Sequence, residues 1–263
     1  MTISESDSPL IPESELVTIV TGASSGLGRA VSQALSRNGR PLLLVGRNQD
    51  RLLETRASCL SSGVSASQYR IVVADLSEDG AAQYVVSEAL REFGAINALV
   101  NNAAIARFGR IEDADPADWS RMIATNLLAP AALIRNAIPA LRKARGTVVN
   151  VGSIGGLLAV PGRSLYGASK AALAHLTRSL ARELAPEIRV NSVLPGAIDT
   201  GMYEDLGLDR EAVDQLRAEM IRTTPLGRMG TVDDVVPWIE LLLSPAASWV
   251  TGSLVVVDGG RSC

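Results

Sequence analysis

The sequence predicts an α/β protein built on a single doubly wound parallel sheet. Short, nearly continuous apolar segments alternate along the chain with longer helical segments. Strands that are apolar throughout are typical of parallel sheets covered by helices on both faces. Right-handed crossovers between such strands leave few other arrangements. No Pro-, Gly- or Ser-rich linker divides the middle of the 263 residues, so we predict one domain over residues 15–263.

Seven segments have the composition of buried strands. The first, Leu-Val-Thr-Ile-Val-Thr, and the second, Pro-Leu-Leu-Leu-Val, carry no charged side chain, as burial on both faces requires. In chain order the predicted strands are residues 16–21, 41–45, 70–74, 98–101, 147–151, 188–193 and 254–257.

Helical segments connect these strands. In the first, apolar residues recur at helical spacing from Leu27 to Leu35, and Gly39 stands where a glycine commonly ends a helix. Pro130 and Pro139 leave the ends of the fourth helix open. The predicted helices are residues 26–38, 50–61, 81–93, 119–141, 164–184 and 232–243.

Two segments fall outside this alternation. Residues 1–14 are acidic and rich in serine, and we predict a disordered N-terminal tail there. The longest stretch between strands, residues 194–253, contains the charged amphipathic segment 204–222. Such long connections beside a sheet often cover a substrate site, so we predict a lid near residues 199–222.

Composition excludes several classes of function. A net charge of −3 and 3% aromatic residues argue against a nucleic-acid binder. Cys59 and Cys263 are too few for a disulfide framework or a thiolate zinc site, and His175 is the only histidine, so we expect no metal. With no signal-peptide pattern and no membrane-spanning apolar run, we expect a cytoplasmic protein without membrane contact.

A glycine-rich turn joins the first strand to the first helix. It reads Thr-Gly-Ala-Ser-Ser-Gly-Leu-Gly, with glycines at Gly22, Gly26 and Gly28. Glycines allow a tight turn and close approach to a ligand, and the helix N-terminus offers free N–H groups to phosphate. The spacing differs from the common Gly-x-Gly-x-x-Gly pattern, so a purely structural turn is the alternative.

The same turn also matches the Gly-x-Ser-x-Gly pattern of serine hydrolases, through Ser24. A hydrolase needs a histidine late in the chain, after an acid. His175 falls inside a predicted helix with further strands after it. The motif also follows the first strand rather than one deeper in the sheet. The pattern therefore disfavours a hydrolase.

Three residues, one after the fifth predicted strand and two in the helix that follows it, are candidates for acid–base chemistry. Tyr166 and Lys170 are four residues apart and so share a helix face. A nearby ammonium favours phenolate and lowers the pKa of a tyrosine toward the working range. Ser153 follows a strand at the end where such sheets bind ligands. The structural alternatives are an ordinary surface pair for Tyr166 and Lys170 and a turn serine for Ser153. Asn126, a poor helix former, would ordinarily face solvent.

These motifs together resemble the short-chain dehydrogenase/reductase family over essentially residues 16–260. Ala104 stands where the family usually has glycine. The C-terminal segments look most like the β-ketoacyl-acyl-carrier-protein reductase branch. The matching motifs, in order, are the glycine turn, Asp75-Leu76, Asn101 to Ala104, Asn126, Ser153, Tyr166 with Lys170, Pro195-Gly196, and the ending from Thr251 to Gly260.

The resemblance implies a seven-stranded Rossmann-type sheet and a role for each motif. Tyr166 would be the general acid or base, Lys170 would lower its pKa and hold the cofactor's ribose, and Ser153 would bind the reacting carbonyl. Asn126 would anchor a water in a proton relay. Asp75 would bind adenine and Ile198 the nicotinamide amide. The implied cofactor-binding residues are Gly22, Ser24, Ser25, Gly26, Leu27, Gly28, Arg47, Asp75, Leu76, Asn102, Ala103, Tyr166, Lys170, Pro195, Gly196, Ile198 and Thr200.

The cofactor prediction depends on the end of the second strand. NAD-binding folds usually place an acid about 20 residues after the glycine turn, where it binds the ribose 2′-hydroxyl. Here Gly46 takes that place, and Arg47 can bind a 2′-phosphate. We therefore predict NADP(H) rather than NAD(H). The alternative is a solvated Arg47 paired with Asp50.

We thus predict an NADP(H)-dependent enzyme that interconverts a carbonyl and a secondary alcohol. The alternatives are a β-ketoacyl-ACP reductase specifically, an NAD-dependent alcohol dehydrogenase, and a catalytically silent dinucleotide-binding regulator. The apolar loop 155–163 and lid suggest an uncharged or partly apolar small-molecule substrate. The resemblance implies a homotetramer, and the small, apolar faces of the Tyr166 helix and the apolar last strand agree with one.

Overall fold

The computed structural model describes residues 12–60 and 65–263 and contains one seven-stranded parallel sheet. The strand order is β3-β2-β1-β4-β5-β6-β7, which confirms the predicted doubly wound α/β class. Every strand lies within two residues of its predicted bounds. The strands are β1 (Thr18–Thr21), β2 (Leu42–Gly46), β3 (Tyr69–Val73), β4 (Ala98–Asn101), β5 (Thr147–Val151), β6 (Arg189–Pro195) and β7 (Leu254–Val257).

Helices cover both faces of the sheet. Most agree with their predicted bounds to within two residues, and the predicted lid contains one further helix, α7. The helices are α1 (Gly26–Arg37), α2 (Gln49–Leu60), α3 (Ala81–Phe93), α4 (Pro116–Ile123), α5 (Ala129–Ala144), α6 (Ser164–Glu183), α7 (Arg210–Arg222) and α8 (Val232–Leu243).

Alternate residues of each strand point into two separate cores. Val20, Leu44 and Val149 pack with helices α1, α2 and α8 on one face. Ile19, Leu43 and Val148 pack with α3, α5 and α6 on the other. These six side chains are fully buried. The uninterrupted apolar runs in the sequence are therefore explained by burial of both faces.

The direction of winding reverses at β1. This strand pairs in parallel with β2 on one side and with β4 on the other. The crossovers from β1 and β4 leave toward opposite edges of the sheet, so a crevice opens beyond the carboxyl ends of these two strands. The glycine turn and the segment after Asn101 lie at this crevice.

The predicted helix 119–141 is wrong in detail. A π-turn at Ala124–Leu128 separates α4 from α5 within one continuous helical segment. Pro130 lacks the N–H that would bond the carbonyl of Asn126, and the N–H of Ala129 instead bonds the carbonyl of Ala124, five residues earlier. Asp115 caps the start of α4 by accepting from the N–H of Ala117 at 2.8 Å.

The disordered N-terminal tail was predicted for residues 1–14, and its first eleven residues lie outside the described part of the chain. Its last residues belong to a 3₁₀ turn, Glu13–Glu15. Within the part of the chain that the structure describes, no helix is both long enough and apolar enough to cross a membrane.

Candidate active site

A cleft of about 900 Å³ lies at the carboxyl ends of the strands. The turns after β1, β2 and β4 line one end of it, and the turns after β5 and β6 line the other. The segment before α7 and residues of α6 complete its wall. The cleft therefore joins the predicted dinucleotide site to the predicted catalytic residues.

The glycine turn brings the N-terminus of α1 to the cleft. Gly22 and Gly26 have φ values of +65° and +49°, which a side chain would strain. A Cβ at Gly28 would lie 2.2 Å from the carbonyl oxygen of Gly22, so only glycine lets the helix pack onto its own turn. The Ser25 side chain does not cap α1, which leaves the first N–H groups of the helix free for an anion.

Asn102 fixes this turn against the neighbouring strand. Its Nδ2 donates to the carbonyl oxygens of Thr21 and Gly22 at 3.0 and 3.3 Å. The hydroxyl of Thr21 accepts from the N–H groups of Asn102 and Ala103 at 2.9 and 3.0 Å. Asn102 therefore braces the glycine turn as well as lining the cleft.

Positively charged side chains also line the cleft. Arg47, Arg51 and Arg121 line it together with Asp75. Arg47 lies 3.9 Å from the Asp75 carboxylate. Hydrogen bonds from Ser77 lower the pKa of Asp75, and the charges of Arg47 and Arg121 lower it further. The proposed Arg47–Asp50 pair does not form, because Asp50 lies in the first turn of α2 and Arg47 faces Asp75.

Ser153, Tyr166 and Lys170 meet at the centre of the cleft. A short 3₁₀ turn after β5, Ile154–Gly156, packs onto α6 and sets their spacing. A Cβ at Gly156 would lie 2.7 Å from the backbone nitrogen of Ala171, so glycine is needed for this contact. A Cβ at Gly155 would lie 3.2 Å from the Tyr166 ring and 3.3 Å from the Ser153 hydroxyl. The Tyr166 ring and the Ser153 hydroxyl thus both lie close to Gly155.

Burial shifts the pKa of both titratable groups, the Tyr166 phenol and the Lys170 ammonium. It raises the pKa of the Tyr166 phenol, while the Ser153 hydroxyl and the charge of Arg163 act in the opposite direction. Burial also lowers the pKa of Lys170 to about 8. The Lys170 ammonium donates to the carbonyl oxygen of Val151 at 2.9 Å. The expected lowering of the Tyr166 pKa by Lys170 stays a prediction.

Asn126 does not face solvent and does not line the cleft. It is fully buried in the π-turn. Its Oδ1 accepts from the N–H of Ile105 at 2.9 Å, and its Nδ2 donates to the carbonyl oxygen of Ile105 at 2.9 Å. The same Nδ2 lies 3.1 Å from the hydroxyl of Ser169, which precedes Lys170 on α6. Asn126 therefore joins the post-β4 segment to the catalytic helix.

The predicted lid segment contributes directly to the cleft. Tyr203 and Met220 line it and are buried. Arg217 on α7 forms an ion pair with Asp199 at 2.7 Å and stacks on the Tyr203 ring at 5.2 Å from the centroid. These contacts hold α7 against the segment that follows β6.

Most predicted site residues line this one cleft. Gly28 and Asn126 are the exceptions, because both are buried behind it. The residues that line it are Gly22, Ser24, Ser25, Gly26, Leu27, Arg47, Asp75, Leu76, Asn102, Ala103, Ser153, Tyr166, Lys170, Pro195, Gly196, Ile198 and Thr200.

His175 lies on α6 and is exposed. It is not among the described residues that line the cleft with Ser24, so the structure gives the hydrolase alternative no support. Sequence reasoning missed Phe108 and Arg261, which line the cleft, and it included Arg163 only as the end of an apolar loop. No spacing in the sequence links them, since the fold alone brings them together.

Comparison with known proteins agrees with this geometry. A family model described as enoyl-(acyl carrier protein) reductase matches residues 22–262. The 2-(S)-hydroxypropyl-CoM dehydrogenase 3 of Xanthobacter autotrophicus is 35% identical over 94% of this chain and 96% of its own. The 3-oxoacyl-[acyl-carrier-protein] reductase of Chlamydia pneumoniae is 35% identical over 92% and 95% of the two chains.

Solved structures give the same result. A short-chain dehydrogenase/reductase from Caenorhabditis elegans, crystallised with cofactor, superposes with a TM-score of 0.88. It is 33% identical to this chain, and the match covers 96% of this chain and 97% of the other. Together with the cleft, these matches show an oxidoreductase of carbonyl and alcohol groups that uses a nicotinamide dinucleotide, and the chain belongs to the short-chain dehydrogenase/reductase family.

Proposed function

We propose that this protein is an NADP(H)-dependent enzyme that interconverts a carbonyl compound and a secondary alcohol, with Tyr166 as the acid or base. The observation that carries the proposal is the meeting of Ser153, Tyr166 and Lys170 in the cleft that also contains the glycine turn. The bound nicotinamide would supply or accept the hydride. The protein's own residues bind the carbonyl and move the proton.

Tyr166 is suited to donate a proton in carbonyl reduction. Because burial raises its pKa, the phenol stays protonated at neutral pH. The Ser153 hydroxyl, which also lies close to Gly155, donates a hydrogen bond to the same carbonyl oxygen. As the oxygen gains negative charge, these two donors stabilise it and Tyr166 releases its proton to it.

Lys170 and Asn126 support this transfer from behind the cleft. The Lys170 ammonium favours the phenolate that remains after the proton has left Tyr166. Asn126 acts through Ser169 and is a positioning residue for Lys170. A water held between Asn126 and Lys170 would connect the site to solvent, as the family resemblance implies.

The charged end of the cleft supports NADP(H) over NAD(H). Three arginines and one aspartate line it, and the Asp75 carboxylate already accepts two hydrogen bonds from Ser77, at 2.9 and 2.6 Å. Gly46 presents no carboxylate that would repel a 2′-phosphate. Arg47 and Arg51 can bind such a group with charge-assisted hydrogen bonds.

A homotetramer is part of the proposal. Strand β7 is at the edge of the sheet, and Val256 on it is 42% exposed although the strand is wholly apolar. Trp249, just before this strand, is 99% exposed. An apolar edge strand is a pairing surface in a monomer, so we infer that a second copy covers it.

A cofactor and substrate screen tests the function. Purified protein is mixed with NADPH or NADH and a panel of ketones and 3-oxoacyl thioesters, or with NADP+ or NAD+ and a panel of secondary alcohols, and the nicotinamide absorbance is followed. We expect ketone-dependent loss of NADPH absorbance. Preference for carrier-bound 3-oxoacyl groups would indicate the β-ketoacyl reductase alternative. Cofactor binding without turnover of any compound would favour a catalytically silent regulator.

A further inference from the structure

Two arginines, Arg163 and Arg261, line the substrate end of the cleft beyond Tyr166. We propose that they form a binding site for an anionic group of the substrate, so that the enzyme acts on carbonyl compounds or alcohols bearing a carboxylate, sulfonate or phosphate. This inference rests on the proposed function and adds the substrate class. It replaces the uncharged substrate that the apolar loop and lid suggested.

Arg163 is held in place by aromatic stacking. It directly precedes α6, three residues before Tyr166. Its guanidinium lies over the Phe108 ring, with Cζ 4.8 Å from the ring centroid. The Phe108 ring in turn meets the Tyr166 ring edge-on, with centroids 5.8 Å apart. One aromatic ring therefore contacts both the proton donor and the cation, so a bound anion would be separated from the reacting carbonyl by a short spacer.

Arg261 reaches the cleft from the C-terminal turn. The Asp258 carboxylate fixes this turn by accepting from the N–H groups of Gly260 and Ser262 at 2.9 and 2.7 Å. Asp258 is the acidic residue nearest to Arg261 in the sequence, and its carboxylate already accepts these two backbone hydrogen bonds. The Arg261 guanidinium is thereby left on the cleft side without an ion pair to Asp258.

No carboxylate neutralises the two arginines among the side chains that the structure describes. The acids lining the cleft are Asp75, which is bonded to Ser77, and Asp118, which lies 3.9 Å from Arg107. Burial lowers the pKa of Arg163, and the charge of Arg261 lowers it further, so the two cations act on each other. Partly buried like charges favour an anionic ligand that supplies the missing hydrogen-bond acceptors.

Uncharged side chains also line the cleft, among them Leu158, Val160, Tyr203 and Met220. Burial raises the pKa of Tyr203 to about 12, so its hydroxyl remains a donor at neutral pH. The combination of an apolar wall and two guanidinium groups fits a short aliphatic chain that ends in an anion.

Matched substrate pairs test the proposal. Keto acids of increasing chain length are compared with their methyl esters, and ketosulfonates and ketophosphonates are compared with the keto acids. The measured quantity is the ratio of kcat/KM for the charged compound to that for its neutral partner. We expect this ratio to favour the anion in the wild type. In Arg163→Gln and Arg261→Gln it should fall by about tenfold or more, mainly through KM, as expected for a lost charge-assisted contact.

Inhibition by simple anions gives a second test that does not require the right keto acid to be found. Aliphatic carboxylates, and separately inorganic phosphate and alkyl sulfonates, are tested as inhibitors of the reduction of a neutral ketone. Their inhibition should weaken in both arginine variants and stay unchanged in Arg182→Gln, which alters an exposed arginine near the far end of α6. The anion that inhibits best identifies the preferred group.

The outcomes separate the two proposals. A wild type that reduces neutral ketones but shows neither a preference for the charged partners nor inhibition by any anion would overturn the anion site and leave the proposed function standing. Equal losses for charged and neutral substrates in the arginine variants would also overturn it. Absence of any carbonyl reduction would instead contradict the proposed function.

Discussion

The Lys170 ammonium donates a hydrogen bond of 2.9 Å to the carbonyl oxygen of Val151, the last residue of β5. This contact ties the catalytic helix to the end of the strand that leads into Ser153. Lys170 is only 2% exposed, and no acid pairs with it among the described side chains. It therefore combines a structural contact with a charge that the fold must bury near Tyr166.

The buried Lys170 should make stability depend on pH in the alkaline range. Its pKa is about 8 in the folded protein and 10.5 in a free lysine. Between these values the unfolded chain binds the proton and the folded chain does not, so the free energy of unfolding rises with pH. Its contribution is on the order of 3 kcal/mol at most.

Urea unfolding at fixed protein concentration measures this effect. We expect the alkaline rise in the free energy of unfolding to be present in the wild type and in Lys143→Met, which changes an exposed lysine. It should be absent in Lys170→Met, which removes the titrating group and keeps most of the volume. The same rise in both variants would show that Lys170 is not its source.

The cofactor assignment predicts that substitutions at two adjacent positions, Gly46 and Arg47, reduce the preference for NADPH. Arg47→Ala should weaken NADPH binding by roughly tenfold, because one exposed charge-assisted contact to the 2′-phosphate is lost, and should leave NADH binding nearly unchanged. Gly46→Asp should shift preference toward NADH, although its Cβ would lie 3.2 Å from the Ser24 hydroxyl, which must move slightly.

Fluorescence titration with each cofactor measures both changes. Arg37→Ala removes an exposed arginine from the end of α1 and serves as the control. Wild-type catalytic efficiency with NADH equal to or above that with NADPH would contradict the assignment.

The proposed tetramer would use the edge strand β7 as one of its interfaces. Light scattering at micromolar concentration should give the mass of four chains. Val256→Asp should reduce this mass, since it places a charge on the proposed interface. Val73→Asp tests the specificity, because Val73 is 45% exposed on β3 at the opposite edge of the same sheet and should not change it. A monomeric wild type would contradict the tetramer.

The strands and most helices follow directly from local sequence, because each carries its own apolar pattern and its own turn residues. The run from Thr18 to Thr21 and the glycine turn after it are examples. The interruption at Ala124–Leu128 is different. It depends on Pro130 and on the hydrogen bonds of Asn126 to Ile105 and Ser169. The spacing of apolar residues carries no information about either.

The candidate site shows the same division. Residues within one motif, such as Tyr166 and Lys170, were predicted because helix geometry alone relates them. The Arg163–Phe108 stack and the approach of Arg261 join distant parts of the chain, so no local pattern could show them. The direction of the Tyr166 pKa shift was also inaccessible, because it results from burial within the assembled cleft.

Turnover of the Tyr166→Phe variant with NADPH and the best ketone found in the screen tests the central claim most directly. The substitution removes the proton donor and keeps the ring that packs against Phe108. Tyr84→Phe, which alters a half-exposed tyrosine on α3, is the matched control and should retain wild-type turnover. We predict a loss of kcat of at least ~10²-fold for Tyr166→Phe with NADPH affinity largely kept. Near-normal turnover in this variant, with intact NADPH binding, would contradict Tyr166 as the acid–base group.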